Sequence, residues 1–246
     1  VPNGPMGITD VFISKFDEDG AQMIWSTFLG GGNNNTGTET AHSMICDDAN
    51  NLYLFGSTSS ADFPVSPDAF NDTHNGGDLG YNFGSTGVNH SAFGIDLFVS
   101  KLSADGTSLL GSTYVGGSGN DGVNYNAANF GAFTELTSNY GDNFRGEIML
   151  DGANNVIVAS CTHSNDFPVV NAIQNSNGGN QDGTVFKLSA DFSQLLFSTY
   201  YGGSENDACY SVKVDESDNL IFAGGTKSSN LPGMGAGFQN NYGGGE

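Results

Sequence analysis

Residues 25–31 read WSTFLGG, and nearly the same words return as GSTYVGG from Gly111 and as FSTYYGG from Phe197. The shared frame is Ser-Thr-aromatic-X-Gly-Gly, and the match runs outward on both sides. Upstream stand DVFISKFDEDG from Asp10, DLFVSKLSADG from Asp96 and DGTVFKLSADF from Asp182. Downstream stand SMICDDANNLYLFGSTSSADFP from Ser43, EIMLDGANNVIVASCTHSNDFP from Glu147 and SVKVDESDNLIFAGGTKSSNLP from Ser211. Each unit thus holds four short apolar or alternating runs separated by turn signals, the pattern of β-strands. The chain is a threefold repeat, with insertions at different places in different copies.

Two of the connections are short. DEDG, SADG and SADF join the first and second runs, and DDANN, DGANN and DESDN join the third and fourth. Asp and Asn there accept local backbone hydrogen bonds, while Gly or Asn supplies positive φ, as tight hairpins require. The other two connections are long and variable. Strands linked alternately by short and long loops form antiparallel meanders, and a repeated four-stranded meander predicts an all-β fold of β-propeller blades.

The frame of Asp-X-Phe-X-X-Lys, Ser-Thr-aromatic-X-Gly-Gly and a Phe-Pro tail resembles the bacterial β-propeller repeat known as the SBBP repeat. The likeness covers about three units, nearly the whole chain outside its insertions. Asn50 and Asn154 stand where that repeat usually has Gly, and Leu231 where Phe63 and Phe167 precede proline. The resemblance implies blade structure and an origin in large secreted or surface proteins of bacteria with many adhesive modules. It implies no activity.

In the phase usual for propellers, the SMICDD type of strand is innermost and the STFLGG type outermost. The chain then comprises a half blade at residues 10–30, a blade at 41–115 with an insertion at 71–95, a blade at 145–201 preceded by an insertion at 119–144, and a half blade at 208–226. Propellers need about four to eight blades, so this reading expects an incomplete propeller that continues beyond the C-terminus. Val1 follows no Met, which fits a mature or excised segment.

Among 246 residues there are 27 acidic and 6 basic side chains, a formal charge of -21. That balance repels phosphate backbones and anionic lipid, which argues against nucleic-acid or membrane-surface partners. No apolar run approaches the roughly 20 residues that span a bilayer. With 37 Gly but only 6 Pro, the composition suits turn-rich β-structure. Cys46, Cys161 and Cys209 match no metal or redox spacing; they read as small buried side chains, with a Cys161–Cys209 disulfide left open.

Blades are buried on both faces, so YLFG, VIVAS and LIFAG should be covered on both sides. Phe28, Tyr114 and Tyr200 should be buried between blades, and the glycine pair after them should permit the turn toward the centre. Lys15, Lys101 and Lys187 are placed to pair with a turn carboxylate, for at most about 1 kcal/mol if exposed.

Strand alternation puts both insertions on one face of the disc and the Asp-rich turns on the other. The insertions carry Tyr81, Phe83 and Phe93, and Tyr125, Phe130, Phe133 and Tyr140, among Gly and Asn. Rings among amides suit stacking on a sugar or a protein partner, or else a small core that pins the loops. Tyr81, Phe83, Tyr125, Phe130, Phe133 and Tyr140 are therefore the candidate ligand-binding residues. On the other face, Asp17, Asp19, Asp47, Asp48, Asp215 and Asp218 offer hard oxygens to calcium, or simply open their hairpins.

No catalytic constellation stands out, and no cofactor other than calcium is expected. Arg145 is the only arginine, against the several that clamp a sialidase substrate, and the sialidase Ser-X-Asp-X-Gly-X-Thr-Trp box is missing. His42, His74, His90 and His163 are scattered, although His74 and His90 share an insertion. A carboxylate pair for glycoside hydrolysis cannot be picked out by spacing. Three readings follow: a structural or adhesive module, a glycan- or protein-binding module, and a glycosidase completed by further blades.

Overall fold

The computed structural model describes residues 9–32, 37–77, 94–124, 136, 146–233, 235 and 237–244, and the backbone of 82–83 and 88–89. The fold is all-β and antiparallel. Strands β1 (Val11–Phe16) and β2 (Met23–Leu29) form a hairpin. Then come β3 (Glu39–Cys46) and β4 (Leu52–Thr58), a long connection bearing the two-residue strands β5 (Asn82–Phe83) and β6 (Val88–Asn89), and β7 (Asp96–Leu102) and β8 (Leu109–Val115). A second meander follows in β9 (Glu147–Leu150), β10 (Val156–Thr162), β11 (Asp182–Leu188) and β12 (Leu195–Tyr201). A last hairpin pairs β13 (Asp207–Val214) with β14 (Leu220–Thr226).

Two four-stranded meanders, β3-β4-β7-β8 and β9-β10-β11-β12, thus stand between two two-stranded sheets, as the repeat predicts. No helix among the described residues is long and apolar enough to cross a membrane.

The sheets stack face to face through the period-two alternation of their strands. On β4, Leu52 and Leu54 face Val11, Ile13 and Leu29 of the first hairpin, while Tyr53 and Phe55 face the other way. There they meet Val156, Val158 and Phe186 of the second meander. Ile157 and Ala159, on the opposite face of β10, pack against Cys209 and Val212 of the last hairpin. Every residue of β4 and of β10 is buried, which explains why these strands are apolar on both faces. Strand β14 departs from that expectation: it is half-exposed, because no described sheet covers its far face.

The short turns behave as their chemistry predicts. Asn50, Asn154 and Asp218 take left-handed φ values of 62°, 62° and 60° in one kind of turn. Gly20 and Gly106 do so in the other, with φ 67° and 68°. Phe192 holds the same position at φ 65°, although a bulky residue is strained there. Packing is the reason. The Phe192 ring is buried against the first meander, stacked 6.2 Å from Tyr53, over the site where Gly111 has no side chain. At the preceding junction the sizes are reversed: Trp25, the counterpart of Gly111, lies over Gly106, the counterpart of Phe192. One large residue fills each gap, drawn from opposite sides.

Several expectations need correction. Tyr114 and Tyr200 are buried, but Phe28 is 44% exposed because no described sheet covers its face of the first hairpin. Lys101 and Lys187 do pair with turn carboxylates, Asp47 at 3.4 Å and Asp151 at 3.0 Å, yet these pairs are largely buried rather than exposed. Lys15 instead donates to the Ala104 carbonyl of the next sheet. Cys161 and Cys209 are buried, Cys46 is exposed, and all three are free thiols.

Candidate functional site

The Asp turns close on themselves. Asp47 accepts from the amides of Ala49 and Asn51 at 3.0 and 2.8 Å and from the Asn51 side chain at 3.0 Å. Asp215 repeats the pattern with Ser217 and Asn219, and Asp17 accepts from the amides of Ala21 and Gln22. The Asn219 side chain, then its amide, hold the Asp215 carboxyl below its usual range. Asp19, Asp48 and Asp218 are exposed beside them, and Asp218 serves its turn through its backbone. The Asp17, Asp47 and Asp215 carboxylates are occupied as turn acceptors, which accounts for Asp at the first position of their hairpins.

The opposite end of the sheets carries a different acidic motif. Asp96 opens β7 opposite Thr58, and Gly116 and Gly117 follow β8. The chain then crosses to the second meander through Asp121, whose amide donates to Ile95 O at 2.8 Å. From the second meander, Thr162 donates to Asp121 Oδ1, and the Ser164 hydroxyl lies 3.0 Å from both carboxylate oxygens. The Gly117 amide donates to Asp121 Oδ2 at 2.9 Å. A Cβ on Gly116 would fall 2.5 Å from Asp96 Oδ1 and 2.8 Å from Asp121 Oδ2, so both carboxylates press on one bare glycine.

The same junction is built three times. Glu39 bridges the first hairpin and the first meander, with its amide on Thr9 O and hydroxyl donors Thr58 and Ser60 on Oε1 at 2.7 and 2.5 Å. A Cβ on Gly30 would meet Asp10 Oδ1 and Glu39 Oε2 at 2.7 and 2.8 Å. Asp207 bridges to the last hairpin, with its amide on Gln181 O, and Gly203 N and Ser228 Oγ donate to Oδ2 at 2.6 and 2.7 Å. Gly202 there abuts Asp182. The glycine pair of the repeated frame therefore serves close approach by acidic side chains. None of Gly30, Gly31, Gly116, Gly117, Gly202 and Gly203 has a left-handed φ, so the turn expected of them is not the cause.

The electrostatics are unusual. Burial, foremost, pushes the carboxyls of Asp96 and Asp121 above their usual range. Burial also pushes Glu39 up to about 7 and Asp182 up to about 6, each with a neighbouring Asp adding to the rise. Ion pairs between described side chains go elsewhere, to Asp47, Asp151 and Glu147. No group of three His, Cys, Asp or Glu side chains placed to hold a metal occurs among the described residues.

Of the candidate ligand-binding aromatics, Tyr81, Tyr125, Phe130, Phe133 and Tyr140 lie outside the described residues, as do Phe93, His90 and Arg145. Phe83 lies on β5. The insertions leave the sheets at the end that carries the junction acids. There, between the two meanders, a cleft of about 400 Å³ is lined by Phe70, Asn71, Asn75, Ser118, Asp166 and Pro168. The described histidines are used singly: His42 Nε2 lies 3.1 Å from the Ser57 hydroxyl, His163 contacts two backbone carbonyls, and His74 meets the Tyr114 ring edge-on. No protein-family model and no curated protein matches the chain.

The junction acids escaped the sequence reading because Glu39 stands farther from its glycine pair than Asp121 and Asp207 do from theirs. The signal that finds them is an acid at both positions in all three copies.

Proposed function

We propose that the chain is a non-enzymatic structural or adhesive module of a large secreted bacterial surface protein, a run of β-propeller blades completed by further blades of the same polypeptide. The observation that carries this reading is the uncovered face of the first hairpin. Phe12 is 71% exposed and Phe16 and Phe28 lie beside it, whereas Phe98 and Tyr114, which hold the places of Phe12 and Phe28 in the next sheet, are fully buried. A contiguous apolar face of this kind is a docking face, and another sheet of the same repeat fits it. The acidic composition and the likeness to the SBBP repeat support an extracellular setting.

A second reading, a glycan- or protein-binding module, is favoured by the cleft between the meanders, which sets the Phe70 ring beside amide and hydroxyl groups. Flanking coding sequence and a glycan array test both. The structural reading expects further Ser-Thr-aromatic-X-Gly-Gly frames on at least one side. It also expects a longer protein that binds an apolar dye less than residues 1–246 do. Flanks without the frame would overturn it. Array binding without hydrolysis moves the role to recognition, and hydrolysis of a bound glycan makes the module part of a glycosidase.

A further inference from the structure

Four of the six junction carboxylates, Glu39, Asp96, Asp182 and Asp207, differ from the turn carboxylates in one respect: their hydrogen bonding is unfinished. Asp96 Oδ2 accepts from the Asn75 amide at 2.6 Å, while Oδ1 is buried with no partner. Asp182 Oδ2 accepts from Gln174 Nε2 and the Gly178 amide at 2.7 and 2.9 Å, and its Oδ1 is likewise bare. Glu39 and Asp207 each use one oxygen and leave Oε2 and Oδ1 unpartnered. Asp96 and Asp182 are wholly buried and Glu39 and Asp207 nearly so. A buried carboxylate oxygen without a donor is costly, and two carboxylates facing one spot compound the cost. One oxygen fixed by hydrogen bonds and the other left bare is how supporting groups orient a monodentate metal ligand.

An internal comparison separates charge from mere hydrogen bonding. Asp62 and Asp166 accept from the amides of Gly32 and Ser118 beside the glycine pairs, and in the third copy Asn230 does the same for Ser204. An acceptor suffices there. At the junction pairs, all six positions are acidic, although an amide oxygen would also accept from Thr, Ser and Gly. What distinguishes these six is the demand for negative charge.

We propose that Asp10 with Glu39, Asp96 with Asp121, and Asp182 with Asp207 are three sites for a divalent cation of the calcium class, each tying one sheet to the next. All the ligand atoms are hard oxygens. Two carboxylates per site leave the remaining positions to backbone oxygens and water, which calcium's six to eight irregular ligands accommodate better than the strict octahedron of magnesium. The inference does not depend on whether the module is structural or adhesive.

The test is thermal melting of the whole chain in chelator and in millimolar calcium at matched ionic strength, with native mass spectrometry to count bound ions. Calcium is expected to raise the melting temperature by roughly 5–10 °C for one site at hundredfold excess over its Kd, and three ions are expected per chain. Asp121→Asn should bind two ions and lose part of the rise. Asp215→Asn, which alters a hairpin-turn acceptor at the other end of the sheets, should keep three. If Asp121→Asn fails to fold, Asp182→Asn reports the third junction independently. The proposal is overturned if calcium neither binds nor moves melting of the parent chain. That outcome, joined to melting that falls as pH rises, would mean the paired carboxyls share a proton. It is equally overturned if the pair variants still bind three ions.

Discussion

The hairpins β1–β2 and β7–β8 are written in almost the same words and end in opposite environments. Phe12 pairs in register with Phe28, and Phe98 with Tyr114. The first pair is exposed and the second wholly buried. The inner faces of both hairpins are buried, through Val11, Ile13 and Leu29 in one and Leu97, Val99 and Val115 in the other. What differs is the cover. Phe63, from the Phe-Pro tail between β4 and β7, lies 4.5 Å from the Phe98 ring. The Phe63 amide donates to the Tyr114 hydroxyl at 2.9 Å, and that hydroxyl donates to Ser60 O at 2.8 Å. Phe167, Tyr200 and Ser164 repeat the arrangement in the next sheet. That tail and the stacked first hairpin, whose Val11, Ile13 and Leu29 share one cluster with Phe98 and Tyr114, together close the second face.

Truncation is the strongest way to break this comparison. Phe98→Ala should cost about 3–5 kcal/mol in urea unfolding, and Phe12→Ala no more than about 0.5 kcal/mol. Equal losses would show that the first hairpin's outer face is covered in solution. A size exchange across the junction comes next. Phe192→Gly should cost about 2–4 kcal/mol, since relief of the left-handed strain offsets only part of the cavity. Gly111→Trp alone should also destabilise, by overpacking. The double variant copies the Trp25–Gly106 junction and should be more stable than either single one, with a coupling of about 1–2 kcal/mol. Simple additivity would sink the idea that each gap is filled from one side.

A smaller effect is expected of the hydroxyl. Tyr114→Phe, which gives the second hairpin the residue of the first, should lose about 1 kcal/mol, while Phe28→Tyr should be neutral within about 0.5 kcal/mol.

The mildest effect concerns the junction beneath the exposed hairpin. Glu39, ordinarily near 4.5, is raised to about 7, and Asp182, ordinarily near 3.8, to about 6. Between those values the native state holds more protons on these two groups than the unfolded one, so in chelator their contribution to stability falls as pH rises from about 4 to 7. Asp47, Asp151 and Asp215 are shifted down and matter only below their ordinary range, but His42 and His74, held neutral by burial, oppose this slope below about pH 6.5. Melting between about pH 6.5 and 8 should therefore decline, and Glu39→Gln should flatten it. An unchanged slope in Glu39→Gln would remove Glu39 as its source.

Much of the fold was legible because its signals are local. Turn residues at fixed offsets and strands such as YLFG and VIVAS, apolar on both faces, are direct consequences of backbone φ and of burial on two sides. Phe192 shows where that legibility ends: by local chemistry its turn position asks for Gly, and only the empty place over Gly111 explains a buried ring there. The junction acids were less visible still. Asp96 looked like the opening letter of a strand, and Asp121 like part of an insertion.

The sequence by itself determined the twelve repeat strands, the hairpin turns and the grouping into two meanders between two half sheets, since these depend on residues near one another along the chain. Tertiary structure alone decided which faces are covered, which partner fills each gap, and that six acids distant in sequence meet in three pairs, five of the six side chains buried. Burial and charge proximity are properties of the stacked sheets, and no single strand carries them.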